Sequence, residues 1–189
     1  MKLYKHKDYN DYVAAQIDKN KRKLKHVWVR SSEIQSIANK IRTAIPGAKF
    51  GICHGVRNGY EVKALRKLLN IEILGTDISP TIVSYPNSIQ WDFHEIKPEW
   101  VNKVDFIYSN SFDHSYKPGY CLDQWMKCIR KNKGICFIHW MSTNENKLDS
   151  ADCFAASLPE YRKLINKNYD IIEELGDRYR RLILIKHRR

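Results

Sequence analysis

The sequence has little glycine, 8 residues in 189, and none of it is spaced as G-x-G-x-x-G or G-x-x-x-x-G-K-[ST]. Those spacings press backbone amides against phosphates at a helix N-terminus. Neither a dinucleotide cradle nor a P-loop is therefore expected. Long hydrophobic runs are also missing. No stretch approaches the roughly 18 uninterrupted apolar residues of a membrane helix, and residues 1–10, MKLYKHKDYN, lack a signal peptide's apolar run. No membrane partner is expected. The 5 cysteines (Cys53, Cys121, Cys128, Cys136 and Cys153) are odd in number and form no C-x-x-C pair. Most fall in apolar runs, where free cysteine packs as a small hydrophobe. That usage suits a reducing, cytoplasmic setting. The 7 histidines show no H-x-x-x-H or H-E-x-x-H spacing, so no metal site is expected. Negative charge is scarce: 21 acidic residues against 33 Lys and Arg leave a net charge of +12. Such a field favours anionic partners, nucleic acid included. It also suits a merely solvated surface.

What is present is a globular chain of one-domain length, 43% hydrophobic and 12% aromatic. Residues 1–30 are rich in Lys and Tyr and predict a basic helical appendage, with a helix over Asp8–Asn20; residues 31–189 predict the main domain. Ser32 and Gln35 fit a capping box, and Ile34, Ile37, Ala38, Ile41 and Ile45 recur at helical spacing before Pro46-Gly47. Strands then alternate with helices. Strands are expected at 49–53, 71–78, 88–93, 104–109 and 134–141, with helices at 61–69 and 119–131 and, after a Ser157/Glu160 capping box, to about Asn168. Two strand-like runs, 169–175 and 180–186, flank Gly176-Asp177-Arg178-Tyr179, a connection short enough to demand an antiparallel hairpin. The expected fold is α/β: a doubly wound, mostly parallel seven-stranded sheet, Rossmann-like, with a terminal antiparallel hairpin.

Four local motifs stand at strand ends. GICHGVRNGYE (51–61) forms a strand-to-helix turn with Gly55 and Gly59 where the backbone must turn tightly. GTDISP (75–80) ends the second strand on Asp77, about 20 residues beyond the glycine loop. QWDFHE (90–95) carries Asp92, and DFIYSNSFDHSYKP (105–118) follows the fourth strand. With the element order, these motifs resemble the class I S-adenosylmethionine-dependent methyltransferases over roughly residues 32–188. The family usually carries an acidic residue where this chain has Cys53-His54.

The resemblance implies S-adenosyl-L-methionine as cofactor. Main-chain groups at Cys53, His54 and Gly55, with Asn58 and Gly59, would meet its amino-acid end. Asp77 and Ile78 would meet the ribose, since an acceptor-only carboxylate suits two adjacent hydroxyl donors. Asp92 and Phe93 would meet the adenine, and Ser109, Asn110 and Ser111 would line the cofactor. Asp113, His114 and Tyr116 would face the acceptor, with His139 at the same sheet edge. Methyl transfer from a sulfonium is an in-line displacement for which positioning supplies about 7–11 kcal/mol; a general base adds about 10²–10⁴-fold. His114 suits that role because imidazole titrates near neutrality, His139 is the reserve, and each also reads as a structural hydrogen-bonding residue. The little chain beyond the core favours a small-molecule acceptor, such as a metabolite or sugar derivative. The alternatives are a nucleic-acid acceptor, an inactive basic scaffold of the same fold, or cleavage of the same cofactor.

Overall fold

A computed structural model describes residues 1–188. In chain order the elements are β1 (Lys2–Leu3), α1 (Tyr9–Arg22), α2 (Ser31–Ala44), β2 (Phe50–His54), α3 (Tyr60–Leu69), β3 (Glu72–Asp77) and β4 (Ser88–Gln90). There follow β5 (Phe106–Ser109), α4 (Pro118–Cys128), β6 (Ile135–Met141), β7 (Phe154–Ala155), α5 (Leu158–Ile165), β8 (Tyr169–Gly176) and β9 (Arg180–His187). Seven strands form one sheet in the order β4-β3-β2-β5-β6-β9-β8. β4, β3, β2, β5 and β6 are parallel, and β9 is antiparallel to both β6 and β8. This is the doubly wound sheet with a terminal hairpin expected from the sequence.

The central strands are apolar on both faces, and their alternation builds two cores. Ile52, Ile107, Cys136 and Ile138 point to one face, against Leu122, Trp125 and Met126 of α4 and Tyr161 and Ile165 of α5. Cys53, Phe106, Tyr108, Ile135 and Phe137 point to the other, against Ile34, Ile37, Ala38 and Ile41 of α2 and Val62 and Leu65 of α3. All 5 cysteines are buried and free, packing as the sequence suggests.

Several local expectations are corrected. The cap of α2 is not Ser32/Gln35: the helix starts at Ser31, and the Glu33 carboxylate accepts from the Arg30 amide at 2.7 Å. The capping box of α5 is the expected one, made by Ser157 and Glu160, whose Oε2 accepts from the Ser157 amide at 2.9 Å. α5 ends at Ile165 and α4 at Cys128, both earlier than helical periodicity predicts, because Asn166 and Ile129 take over as caps. A two-stranded pair gives no such sequence signal: Lys2 and Leu3 of β1 pair antiparallel with Ala155 and Phe154 of β7. It ties the start of the chain to the excursion after β6.

The topology fixes where a ligand can bind. The strand order reverses between β2 and β5, and in an open α/β sheet the crevice outside the strand carboxyl ends at such a switch point receives ligands.

Candidate functional site

Gly55 follows β2 at that switch point with φ +69°, and a Cβ there would lie 2.7 Å from the Cβ of Ser111. The loops after β2 and β5 therefore touch, and only glycine permits it. Arg57, two residues on, is left-handed at φ 42° despite carrying a side chain. Its Nε is buried without a hydrogen-bond partner.

Asp77 ends β3 as a buried carboxylate. Its Oδ2 accepts the Arg57 amide at 2.9 Å; its Oδ1 accepts the Ser79 amide and the Asn20 side-chain amide, both at 2.9 Å. Burial raises its pKa, with those amides and Arg57 opposing. Beyond β4, Asp92 Oδ1 accepts from the His94 amide at 2.9 Å and lies 2.7 Å from His94 Nδ1, while Oδ2 accepts the Tyr9 hydroxyl at 2.7 Å. Burial pushes Asp92 up, but His94 outweighs it and holds the carboxyl below the usual range.

Asn20 and Tyr9 belong to α1, which lies across the crevice. The buried side chains of α1 are Tyr12, Gln16 and Asn20, one per turn. Beneath the helix remains a cavity of about 40 Å³, whose walls include Gly55, Asp77, Ile78, Asp92, Phe93 and Ser111. A chamber of about 330 Å³ opens beside it, reached by Arg57, Asn58, Asn110, Ser111, Asp113 and His114.

Asp113 is buried, and desolvation raises its pKa against the opposing pull of His114, its own backbone amide and Lys147. His114 is fully engaged. The Gln16 amide group donates to the Ala151 carbonyl at 2.8 Å, which turns its oxygen toward His114 Nδ1 at 2.9 Å. His114 Nδ1–H is therefore the donor. Nε2 faces Asp152 Oδ1 at 3.3 Å, so that contact is attractive only when the imidazole carries both protons. Lys19 and Lys147 also bind Asp152 and, with His114, hold it below the usual range against its burial. Donor atoms of Asp113, His114 and Asp152 lie within 4.8 Å of one another, but these ammonium groups already neutralise Asp152.

The structure thus gathers Gly55, Asn58, Asp77, Ile78, Asp92, Phe93, Asn110, Ser111, Asp113 and His114 around the crevice. The other side chains lie elsewhere, which for Cys53 and His54 leaves the expected main-chain contacts untouched. Cys53 faces the α2/α3 core. The His54 ring stacks on Trp125 at 4.8 Å, bonds Thr76 Oγ1 at 2.7 Å, and is pushed down to about 3 by burial. Gly59 caps α3. Ser109 donates to the His54 carbonyl at 3.1 Å from full burial, which makes it a brace between β2 and β5. His139 sits on the opposite face against Tyr108, in a separate pocket with Glu33 and Arg180, and burial pushes it down to about 3. Its place as reserve base is withdrawn, because strand alternation turns it away from the crevice. Sequence reasoning missed Tyr9, Gln16, Lys19, Asn20, Arg57, Lys147 and Asp152. A one-per-turn polar stripe on α1 was the only local signal.

No protein-family model matches the chain, and no curated protein matches its sequence. Solved structures do match its shape. A Burkholderia thailandensis 1,6-didemethyltoxoflavin-N1-methyltransferase, with bound 1,6-didemethyltoxoflavin and S-adenosylhomocysteine, superposes over 98% of this chain and 93% of its own, with TM-score 0.75 and 10% identity. A SAM-dependent methyltransferase from Aquifex aeolicus covers 84% of this chain and 98% of its own at TM-score 0.57 and 14% identity. A Rhodobacter sphaeroides protein provisionally named a Zn-dependent alcohol dehydrogenase covers 96% of this chain and 100% of its own at TM-score 0.70 and 10% identity. The chain therefore has the Rossmann-like fold of the class I methyltransferases. At these identities the likeness defines the fold, and the chemistry must be argued from the site.

Proposed function

We propose that the chain binds S-adenosylmethionine in the crevice and transfers its methyl group to a small molecule. The observation that carries this reading is the pair of carboxylates on adjacent strands, Asp77 after β3 and Asp92 after β4, each holding a donor from α1. Asn20 Nδ2 and the Tyr9 hydroxyl stand where ribose hydroxyls and an adenine amino group would donate. The acceptor pattern fits an adenosine. The room does not while α1 lies as it does, since about 40 Å³ remains beneath it. Cofactor entry therefore requires α1 to lift, its donors giving way to those of the ligand.

In this reading Asp77 holds the ribose, Asp92 the adenine edge, and Gly55, Asn110 and Ser111 the remainder. The cofactor supplies a methyl carbon made electrophilic by an adjacent sulfonium. The 330 Å³ chamber holds the acceptor. Asp113, in no salt bridge among the described residues and raised by burial, accepts the proton that an O–H or N–H acceptor must lose. His114 is a positioning residue, since its Nδ1 is bonded to Gln16 and its Nε2 faces Asp152 rather than the chamber's acceptor. The small-molecule acceptor rests on the chamber's size and on the Burkholderia enzyme, which holds such an acceptor in this fold.

The competing reading is a basic module of the same fold without a cofactor, favoured by the tightness of α1 over the crevice. Calorimetric titration with S-adenosylhomocysteine decides between them. Binding accompanied by faster hydrogen exchange in α1 supports the enzyme; no heat at millimolar ligand rejects it.

A further inference from the structure

The walls of the 330 Å³ chamber carry two cations that form no salt bridge among the described residues, with Asp77, Glu61 and Asp152 acting on Arg57 only from beyond ion-pair distance. Arg57 is half-buried, its Nε is shielded from solvent without a partner, and it forms no ion pair among the described residues. Lys23 at the end of α1 is likewise half-buried and unpaired, its ammonium 5.4 Å from the Trp28 ring centroid. Burial first, then the neighbouring Lys19 and Lys147, lower its pKa. The other chamber cations are committed: Lys19 and Lys147 to Asp152, and Arg180 to Glu33. The chamber's own acids do not supply the missing partners, because neither Asp113 nor Glu61 comes within ion-pair distance of Arg57 or Lys23 among the described residues. A guanidinium drawn out of water without an acceptor is costly unless an anion completes it. Trp28 forms an adjoining wall and is 49% exposed, although it is among the largest apolar side chains in the protein. It is held there because Asn58 Nδ2 donates to the Leu24 and His26 carbonyls at 2.9 and 3.3 Å, fixing the α1–α2 connection against the glycine loop.

We propose that the chamber is a receptor for a ring-bearing oxyanion, a carboxylate or a phosphate, with the anion on Arg57 and Lys23 and the ring against Trp28. Only the naming of this molecule as the methyl acceptor rests on the methyltransferase reading; the receptor stands on the unpaired cations and the exposed ring.

The test is titration of the full-length protein with benzoate, phenyl phosphate, neutral benzamide and inorganic phosphate, followed by calorimetry. Benzoate or phenyl phosphate should bind, and benzamide should bind at least tenfold more weakly. Whichever anion binds more tightly identifies carboxylate or phosphate as the natural group. Arg57→Gln and Lys23→Gln should each weaken the better anion at least tenfold, the loss of one charge-assisted contact. Trp28→Leu should weaken phenyl phosphate while sparing inorganic phosphate. Circular dichroism checks each fold, and the uncharged Arg57→Met replaces any Arg57→Gln protein that fails to fold. Benzamide binding as well as benzoate, neither anion binding, or both charge variants binding like the native protein would overturn the receptor; equal losses of both phosphates in Trp28→Leu would overturn the ring seat. Anion binding without S-adenosylhomocysteine binding rejects the methyltransferase reading alone.

Discussion

Asn20 on α1 donates its side-chain amide to Asp77 at the end of β3 across 2.9 Å, and the same Asn20 accepts from Thr81 Oγ1 at 3.1 Å. This contact joins α1, the helix that cofactor entry would have to lift, to the residue that the proposed reading places on the ribose. A hydrogen bond to a charged group is worth about 1.5–3 kcal/mol, enough to set whether the crevice is open or shut.

Asn20→Ala should therefore loosen α1 and strengthen S-adenosylhomocysteine binding by about tenfold, with faster hydrogen exchange over α1. Calorimetry and exchange mass spectrometry read both. An unchanged affinity would show that α1 does not compete with the ligand.

Asp77→Ala should act in the opposite sense. It removes the acceptor for ribose and strands the Arg57 and Ser79 amides, so S-adenosylhomocysteine affinity should fall at least tenfold and stability by about 1–3 kcal/mol. Retained affinity in a folded variant would remove the ribose assignment.

Asp113 is raised by burial, so its folded pKa lies above its unfolded value of about 3.9. The folded protein then binds the proton more tightly, and stability declines as pH rises from the unfolded toward the folded pKa. Asp113→Asn should melt at a higher temperature than the native protein at neutral pH, with the gap closing near pH ~4. No gain at neutral pH would mean that the carboxylate has found a partner and is not poised as a base.

Glu61, at the start of α3, is pushed up to about 7 by burial, with the helix backbone and Arg57 opposing. The same sign applies: its ionisation erodes stability between pH ~4.3 and about 7. Glu61→Gln should stabilise the protein at pH ~8 by on the order of 3 kcal/mol and leave it nearly unchanged near pH ~4. Equal effects at both pH values would refute the shift.

Much of the fold was legible in the sequence because its signals are local. Ile52, Ile107 and Phe137 sit in apolar runs too short for helices, and the runs at 169–175 and 180–186 are joined by too few residues for anything but a hairpin. Asp77 and Asp92 stood out as acidic residues at or just beyond strand ends, and their expected roles came from the resemblance to the methyltransferases. The wrong assignments share one cause. Ser109 and His139 were placed near the site by position along a strand, yet which face each side chain takes is set by pleat and packing: Ser109 turns to the His54 carbonyl, and His139 turns to Tyr108.

The sequence by itself determined the alternation of strands and helices, the terminal hairpin and the acidic residues at strand ends, since hydrophobic periodicity and turn chemistry act between near neighbours. Only the tertiary structure decided that α1 lies over the crevice, that Asp152 reaches His114, and that Arg57 and Lys23 are left without salt bridges among the described residues. Those contacts join residues 20 and 77, or 114 and 152, far apart in the chain. A polar helix stripe such as Tyr12-Gln16-Asn20 carries no sign of whether water or protein will satisfy it until the chain is packed.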